Sequence, residues 1–137
     1  TGEAASSRAT AMVVSNGDVY VVGTVLQTRF KPRAALWKNG VLTWLTDENT
    51  PAEAKAVAVS DADVYVAGLV YGDTTMATLW KNGVPQSLPD GEDGSVDAIA
   101  VSDGTVYVTG TAFRDGTGTS AACRLIWGMN GTPTEST

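Results

Sequence analysis

The chain has 137 residues, a hydrophobic fraction of 43% and a formal net charge of −6, values typical of one folded, acidic domain. No apolar run approaches the ~18 residues of a membrane helix, and the acidic balance excludes nucleic acid as an expected partner, because proteins bind it through a basic surface. There is no histidine and only one cysteine, Cys123, which excludes an internal disulfide and a Cys-His nucleophile.

The first predicted elements are two short apolar runs joined by an acidic turn, and the pair occurs three times. The first run reads AMVVS (11–15), AVAVS (56–60) and AIAVS (98–102). The second reads VYVVG (19–23), VYVAG (64–68) and VYVTG (106–110). Both alternate sets of residues in the second run are mostly apolar, which predicts strands covered on both faces. The glycine that ends each run is expected where backbones crowd or bend.

A third phrase supplies the next two predicted strands and the turn between them. It reads AALWKNGV (34–41), MATLWKNGV (76–84) and, with one extra residue before Asn-Gly, CRLIWGMNG (123–131). Asn-Gly between apolar runs predicts a tight hairpin, because both residues adopt positive φ at low cost. The best helical candidate, TPAEAKAVAV (50–59), runs directly into a strand phrase.

The matched phrases define an internal repeat. Tyr20, Tyr65 and Tyr107 are 45 and 42 residues apart, and Trp37, Trp80 and Trp127 are 43 and 47 apart. Four-stranded antiparallel units with this period, covered on both faces by neighbouring units, are typical of β-propeller blades. The sequence therefore predicts an all-β fold in a single repeat domain, 1–137. The predicted blades span about 10–47, 52–91 and 94–134, half of a six-bladed propeller.

The phrase DVYVAG…ATLWKNGV resembles the repeat of a group of β-propeller proteins, mostly bacterial and exported, that are built from WKNG-type blades. The likeness covers residues 10–131. It implies the fold and an extracellular or cell-surface location. No catalytic residues come with the resemblance.

Three consecutive blades would leave two apolar outer faces, and large exposed apolar patches mark interfaces. The expected partner is a second copy of the chain, joined head to tail to close a six-bladed ring. Two alternatives stay open: further blades encoded elsewhere could complete the ring, or a contact that fails to close could build a filament.

Candidate functional residues fall into two groups. The aromatic residues at matched repeat positions are predicted to pack the blades: Tyr20, Tyr65, Tyr107, Trp37, Trp80 and Trp127. Residues outside the repeat, or in the variable connections between second and third strands, are candidate ligand or partner contacts: Arg29, Phe30, Trp44, Tyr71, Phe113 and Arg114. Trp44 could equally be an interface anchor or a ligand contact, and carbohydrate or protein is the expected ligand class.

No cofactor is predicted. The acidic turns at 46–49, 89–94 and 114–120 offer oxygen ligands to calcium, which stays an alternative, but their spacing does not match the EF-hand loop, and Asp and Gly are ordinary turn residues. Asp18 and Asp63 precede the tyrosine strand in two copies and are expected to hydrogen-bond their turns. Cys123 is expected to be a small buried apolar residue.

The leading functional hypothesis is a non-enzymatic binding or interaction module that presents its loops around a central channel. One alternative is a structural repeat subunit of a surface layer or fibre. Another is a hydrolase or lyase that uses acidic residues of the channel, which the missing histidine and the lack of a suggestively spaced carboxylate pair disfavour.

Overall fold

The computed structural model describes residues 6–28, 31–47, 49–60, 62–72, 75–92, 95–102, 105–114, 121–127 and 133–136. These residues form strands joined by turns, and none of them is helical. All strand pairs are antiparallel. The predicted all-β class is therefore confirmed.

The strands occur in the order in which the repeated sequence phrases occur along the chain. They pair into three sheets. The first sheet contains β1 (Ser6–Ser15), β2 (Asp18–Thr28), β3 (Lys31–Lys38) and β4 (Val41–Trp44). The second contains β5 (Ala52–Ser60), β6 (Asp63–Tyr71), β7 (Thr75–Lys81) and β8 (Val84–Glu92). The third contains β9 (Ser95–Ser102), β10 (Thr105–Arg114), β11 (Ala121–Trp127) and β12 (Pro133–Ser136). In each sheet, neighbours in sequence are neighbours in space.

Asn-Gly turns close the hairpins as predicted. Asn39 and Asn82 have φ of 52°, and each following glycine has φ of 85°, the positive pair that fits the twist of a two-residue hairpin. Asn16-Gly17, between β1 and β2, has the same geometry and was not singled out in the sequence. The third predicted turn, Asn130-Gly131, lies outside the described residues.

The hairpin asparagine also binds the acidic residue that begins the tyrosine strand. The Asn39 side chain donates to Asp18 Oδ1 over 2.9 Å and accepts the Val19 backbone N–H over 2.9 Å. Asn82 makes the same two contacts, with Asp63 over 3.0 Å and with Val64 over 2.9 Å. Asp18 and Asp63 therefore hydrogen-bond a turn, as expected. The turn is the Asn-Gly turn after the third strand of their sheet, rather than the turn that precedes them.

Each sheet has two faces that we name by their aromatic residues. The tyrosine face carries Tyr20 in the first sheet, Tyr65 in the second and Tyr107 in the third. The tryptophan face is the opposite one and carries Trp37 and Trp80, whose cross-strand partners are Val21 and Val66. In the third sheet this face is marked by Val106 and Val108, which alternate with Tyr107 along β10.

The sheets stack so that a tyrosine face always packs on the tryptophan face of the next sheet. At the first junction, Tyr20 and Val22 pack with Val57, Val66 and Trp80. At the second junction, Tyr65 and Ala67 of the second sheet pack with Val106 and Val108 of the third. The second sheet is consequently buried on both faces, which explains why both alternate sets of its strand residues are apolar.

The first strand of every sheet carries a β-bulge at the same place. The pairing shifts between Ala9 and Ala11, between Ala54 and Ala56, and next to Gly110 in the third sheet. The residues left unpaired are Thr10, Lys55 and Asp97. A Cβ on the glycine that faces each bulge would lie about 2 Å from a backbone carbonyl oxygen of the bulged strand, so only glycine fits there.

Several elements are longer than predicted. Residues 52–59, within the best helical candidate, belong to β5, where Ala52, Ala54 and Val57 pack into the first junction. The connections between second and third strands, predicted at 24–33, 69–75 and 111–120, begin as strand, since β2, β6 and β10 continue to Thr28, Tyr71 and Arg114. Residues 115–120 lie outside the described residues. β8 likewise extends into the predicted acidic turn, to Glu92, through an irregular pairing with β7.

Candidate binding surfaces

A polar cleft of about 430 Å³ lies where β1 and β5 run side by side. Its lining combines hydroxyl and charged side chains with one apolar residue: Ser6, Ser7, Arg8, Thr10, Thr24, Leu26, Glu53 and Lys55. The Thr10 hydroxyl donates to the Ala54 carbonyl over 2.6 Å, which ties the bulge of the first sheet to the second sheet. The cleft is therefore built by the two bulged strands β1 and β5, with Thr24 and Leu26 of β2.

Charged groups in the cleft are arranged in a short chain. Lys55 Nζ lies 2.9 Å from Glu53 Oε1. Glu53 also hydrogen-bonds the phenol of Tyr71, at the end of β6. Burial, followed by the negative charge of Glu53 and this hydrogen bond, raises the pKa of Tyr71 to about 12. Arg8 of β1 also lines the cleft and is exposed, so the cleft offers both donors and acceptors.

Among the described residues, no sheet packs on the tryptophan face of the first sheet. Met12 is 61% exposed and Val14 59% exposed, whereas Val57, the counterpart of Met12 in the second sheet, is 8% exposed. Met12, Val21, Trp37 and Leu42 follow one another as cross-strand partners across this face. Together they form an apolar row that solvent reaches.

Trp44 belongs to the same face. It pairs across the strands with Ala35, which is fully buried, and the guanidinium of Arg33 lies 4.0 Å from the centre of its ring. Arg33 Nε also donates to the Thr46 carbonyl over 2.8 Å, so the stacked pair is held in place. Both roles predicted for Trp44, interface anchor and ligand contact, stay predictions.

The tyrosine face of the third sheet is the second uncovered surface. Tyr107 is 41% exposed, while Tyr20 and Tyr65 at the junctions are 7% and 4% exposed. Ala98 and Ala100, which pair with Thr109 and Tyr107 across the strands, are exposed as well. Of the side chains on this face that the structure describes, Tyr107, Ala98 and Ala100 are exposed and Thr109 is partly exposed.

Of the two candidate contacts whose side chains the structure describes, Tyr71 and Trp44, Tyr71 contacts a residue of the cleft, Glu53. Arg29 and Phe30 lie outside the described residues. Phe113 and Arg114 lie within β10, paired with Ala122 and Ala121 rather than in a connection. Among the packing candidates, Trp80 is fully buried at the first junction and Trp37 is partly exposed on the free face. Trp127 pairs with Val108, and Cys123 pairs with Ala112.

Sequence reasoning missed Arg8, Glu53 and Lys55. Polar residues inside a predicted strand carry little information by themselves, and the bulge that gathers them has three different residues at its unpaired position. The glycines at 23, 68 and 110 are the signal that could have located the bulge. The sequence predicts crowding at each of them but does not identify the bulged strand opposite.

In the acidic turn at 46–49, the carboxylate of Asp47 accepts hydrogen bonds from neighbouring residues. Asp47 Oδ1 accepts the Thr50 hydroxyl and the Asn49 backbone N–H, both over 2.9 Å. These hydrogen bonds, the Thr50 hydroxyl first, lower the pKa of Asp47. Within the described part of the chain, no group of three or more Cys, Asp or Glu side chains could hold a metal ion. Most of the other two acidic turns lies outside that part.

Comparison with known proteins assigns no family to the chain: no protein-family model matches it, and no curated protein does. Among the described residues there is also no helix long and apolar enough to cross a membrane.

Proposed function

We propose that the three sheets are consecutive blades of a β-propeller and that the protein is a non-enzymatic binding module. The observation that carries the proposal is the stacking of the sheets, each with its tyrosine face on the tryptophan face of the next and with β1, β5 and β9 following one another side by side. Propellers stack their blades in this way around a central channel. The resemblance to WKNG-type blades supports the same reading.

The cleft between β1 and β5 is the binding site of the module. Its hydroxyl groups, its one exposed guanidinium and its ammonium–carboxylate pair suit a polyhydroxylated ligand such as a sugar, which presents donors and acceptors together. The carboxylate of Glu53 is engaged by Lys55 and Tyr71, which disfavours the acid–base pair that a hydrolase would need. An extracellular or cell-surface location fits a glycan ligand and stays a prediction.

A glycan array tests this function. The protein is expected to bind a subset of sugars, and Arg8→Ala and Lys55→Ala are each expected to weaken that binding by about tenfold or more, since a hydrogen bond to a charged group contributes about 1.5–3 kcal/mol. Lys38→Ala, at an exposed hairpin away from the cleft, is the matched control and should bind normally.

Two outcomes would contradict the proposal. Cleavage of a bound sugar, detected by mass spectrometry, would make the protein an enzyme. Absence of binding by the folded protein across the array would remove the carbohydrate ligand and favour the structural subunit of a layer or fibre.

A further inference from the structure

We propose that the tyrosine face of the third sheet docks on the tryptophan face of the first sheet of a second copy, so that two copies close one ring of six sheets through two equivalent joints. This inference rests on the proposed propeller architecture and specifies its partner. The chain carries both halves of the joint, and each half repeats a surface that is already packed at an internal junction.

The correspondence between the free and the packed surfaces extends to individual positions. Tyr107 corresponds to Tyr65, and the next residue on the same face is small in both strands, Thr109 and Ala67 respectively. On the opposite face, the cross-strand pair Met12–Val21 corresponds to Val57–Val66. A second copy that repeats the internal junction would therefore cover Tyr107 with Met12 and Val21.

Because each junction packs a tyrosine face on a tryptophan face, the same kind of contact between copies determines whether they form a ring or a filament. Tyrosine faces pack on tryptophan faces at both internal junctions, so the joint between copies is heterologous. A heterologous contact closes when the repeated rotation completes a circle, and six sheets lie within the usual range of four to eight blades. Closure covers both apolar faces of both copies, which leaves neither exposed.

Charge at the bulges supports the same pairing. In the first junction, the bulge residue Thr10 reaches the backbone of Ala54, next to Glu53. By repeat position, Asp97 is the bulge residue that would take the place of Thr10 at the joint, and Arg8 would take the place of Glu53. Asp97 and Arg8 are both exposed in the single chain, and the joint brings their opposite charges together.

Sedimentation velocity of the 137-residue chain tests the proposal. The expected species has twice the chain mass of 14.2 kDa. Tyr107→Glu and Met12→Glu each place a charge in both joints and are expected to raise the dissociation constant by about 100-fold or more, the size of effect seen at interface hot spots. Val84→Glu, which alters an exposed valine in the β7–β8 hairpin, is the matched control and should remain a dimer.

Mixing the two variants gives the decisive result. A Met12→Glu copy retains an intact tyrosine face and a Tyr107→Glu copy retains an intact tryptophan face, so an equimolar mixture is expected to form a heterodimer through one joint, although each variant alone is monomeric. Failure of the mixture to associate would overturn the head-to-tail joint, and so would a variant that stays dimeric alone, because a symmetric contact through one face would explain it.

Other outcomes separate this inference from the proposed function. A wild-type chain that is folded by circular dichroism but monomeric at all concentrations would overturn the second copy as partner, while leaving the blade architecture and the cleft untouched. Mass that grows without limit with concentration would overturn ring closure and indicate a filament. Sugar binding by the monomeric variants would show that the cleft acts independently of the joint.

Discussion

The phenol of Tyr71 shows how a single residue links the cleft to the core. Its ring packs against the second junction, while its hydroxyl reaches the carboxylate of Glu53. Burial and the adjacent negative charge both disfavour the phenolate, so the folded protein keeps the Tyr71 proton up to a pKa of about 12, whereas the unfolded chain releases it near 10. The raised pKa makes the fold sensitive to alkaline pH.

We expect the free energy of unfolding to decrease between pH 10 and pH 12, because the unfolded chain gains from ionising Tyr71 before the folded chain does. Below pH 10 the contribution is fully present, and it is lost as the pH rises through the folded pKa. Tyr71→Phe removes this part of the decrease, and Glu53→Gln brings the pKa of Tyr71 down towards 10. Urea unfolding across this pH range, combined with the ultraviolet absorbance of the phenolate, measures both.

The three tyrosines at repeat positions remain in the Tyr71→Phe variant and serve as the internal reference. If wild type and Tyr71→Phe lost stability in parallel above pH 10, the alkaline sensitivity would belong to those tyrosines or to lysines instead.

At the scale of a strand, the first strand of each sheet carries a β-bulge opposite a glycine of the second strand. Gly68 faces the bulge at Lys55, and a Cβ on Gly68 would lie 2.1 Å from the Glu53 carbonyl oxygen and 2.9 Å from the Ala54 Cα. Both contacts are with backbone, so they cannot be relieved by a rotamer change. The bulge in turn redirects Glu53 and Lys55 to the cleft.

We expect Gly68→Ala to lower the free energy of unfolding by about 3 kcal/mol or more, because β5 and β6 must separate locally to admit the methyl group. The matched control is Gly83→Ala in the β7–β8 turn. Gly83 has φ of 85° and open space around it, so its substitution costs only the left-handed strain of a non-glycine residue, about 1 kcal/mol. Chemical denaturation measures both, and equal losses would contradict the crowding at Gly68.

How much the sequence predicts differs between these elements. The strands and Asn-Gly turns were predictable because alternation and turn chemistry act over a few residues. The bulge was not, because Thr10, Lys55 and Asp97 share no side-chain property and only the glycines opposite record it. The extent of β2, β6 and β10 was also underestimated, because strand pairing continues through polar residues once the hairpin is in register.

At the scale of the whole molecule, Trp37 and Trp80 occupy equivalent repeat positions but lie on opposite sides of the first sheet. Trp80 is fully buried between the first and second sheets, and its indole N–H has no hydrogen-bond partner among the described residues. Trp37 lies on the free tryptophan face and is partly exposed. The sequence predicted two uncovered outer faces, but it placed Trp37 and Tyr107 among the blade-packing residues and did not predict that both would lie on those faces.

The two positions therefore predict different responses to the same substitution. Trp80→Ala is expected to lower the free energy of unfolding by about 3–5 kcal/mol, the usual cost of a large cavity in a core, at any protein concentration. Trp80→Phe should cost less, because it keeps most of the ring and removes an indole N–H that lacks a partner.

Trp37→Ala is expected to have a smaller effect on the free energy of unfolding in dilute protein and a larger one as concentration rises, because dimerisation through the tryptophan face adds to the stability of the native state. Urea unfolding at two concentrations a hundredfold apart distinguishes these responses, and a cost for Trp37→Ala that matched Trp80→Ala in dilute protein would mean that this face is already covered within the single chain.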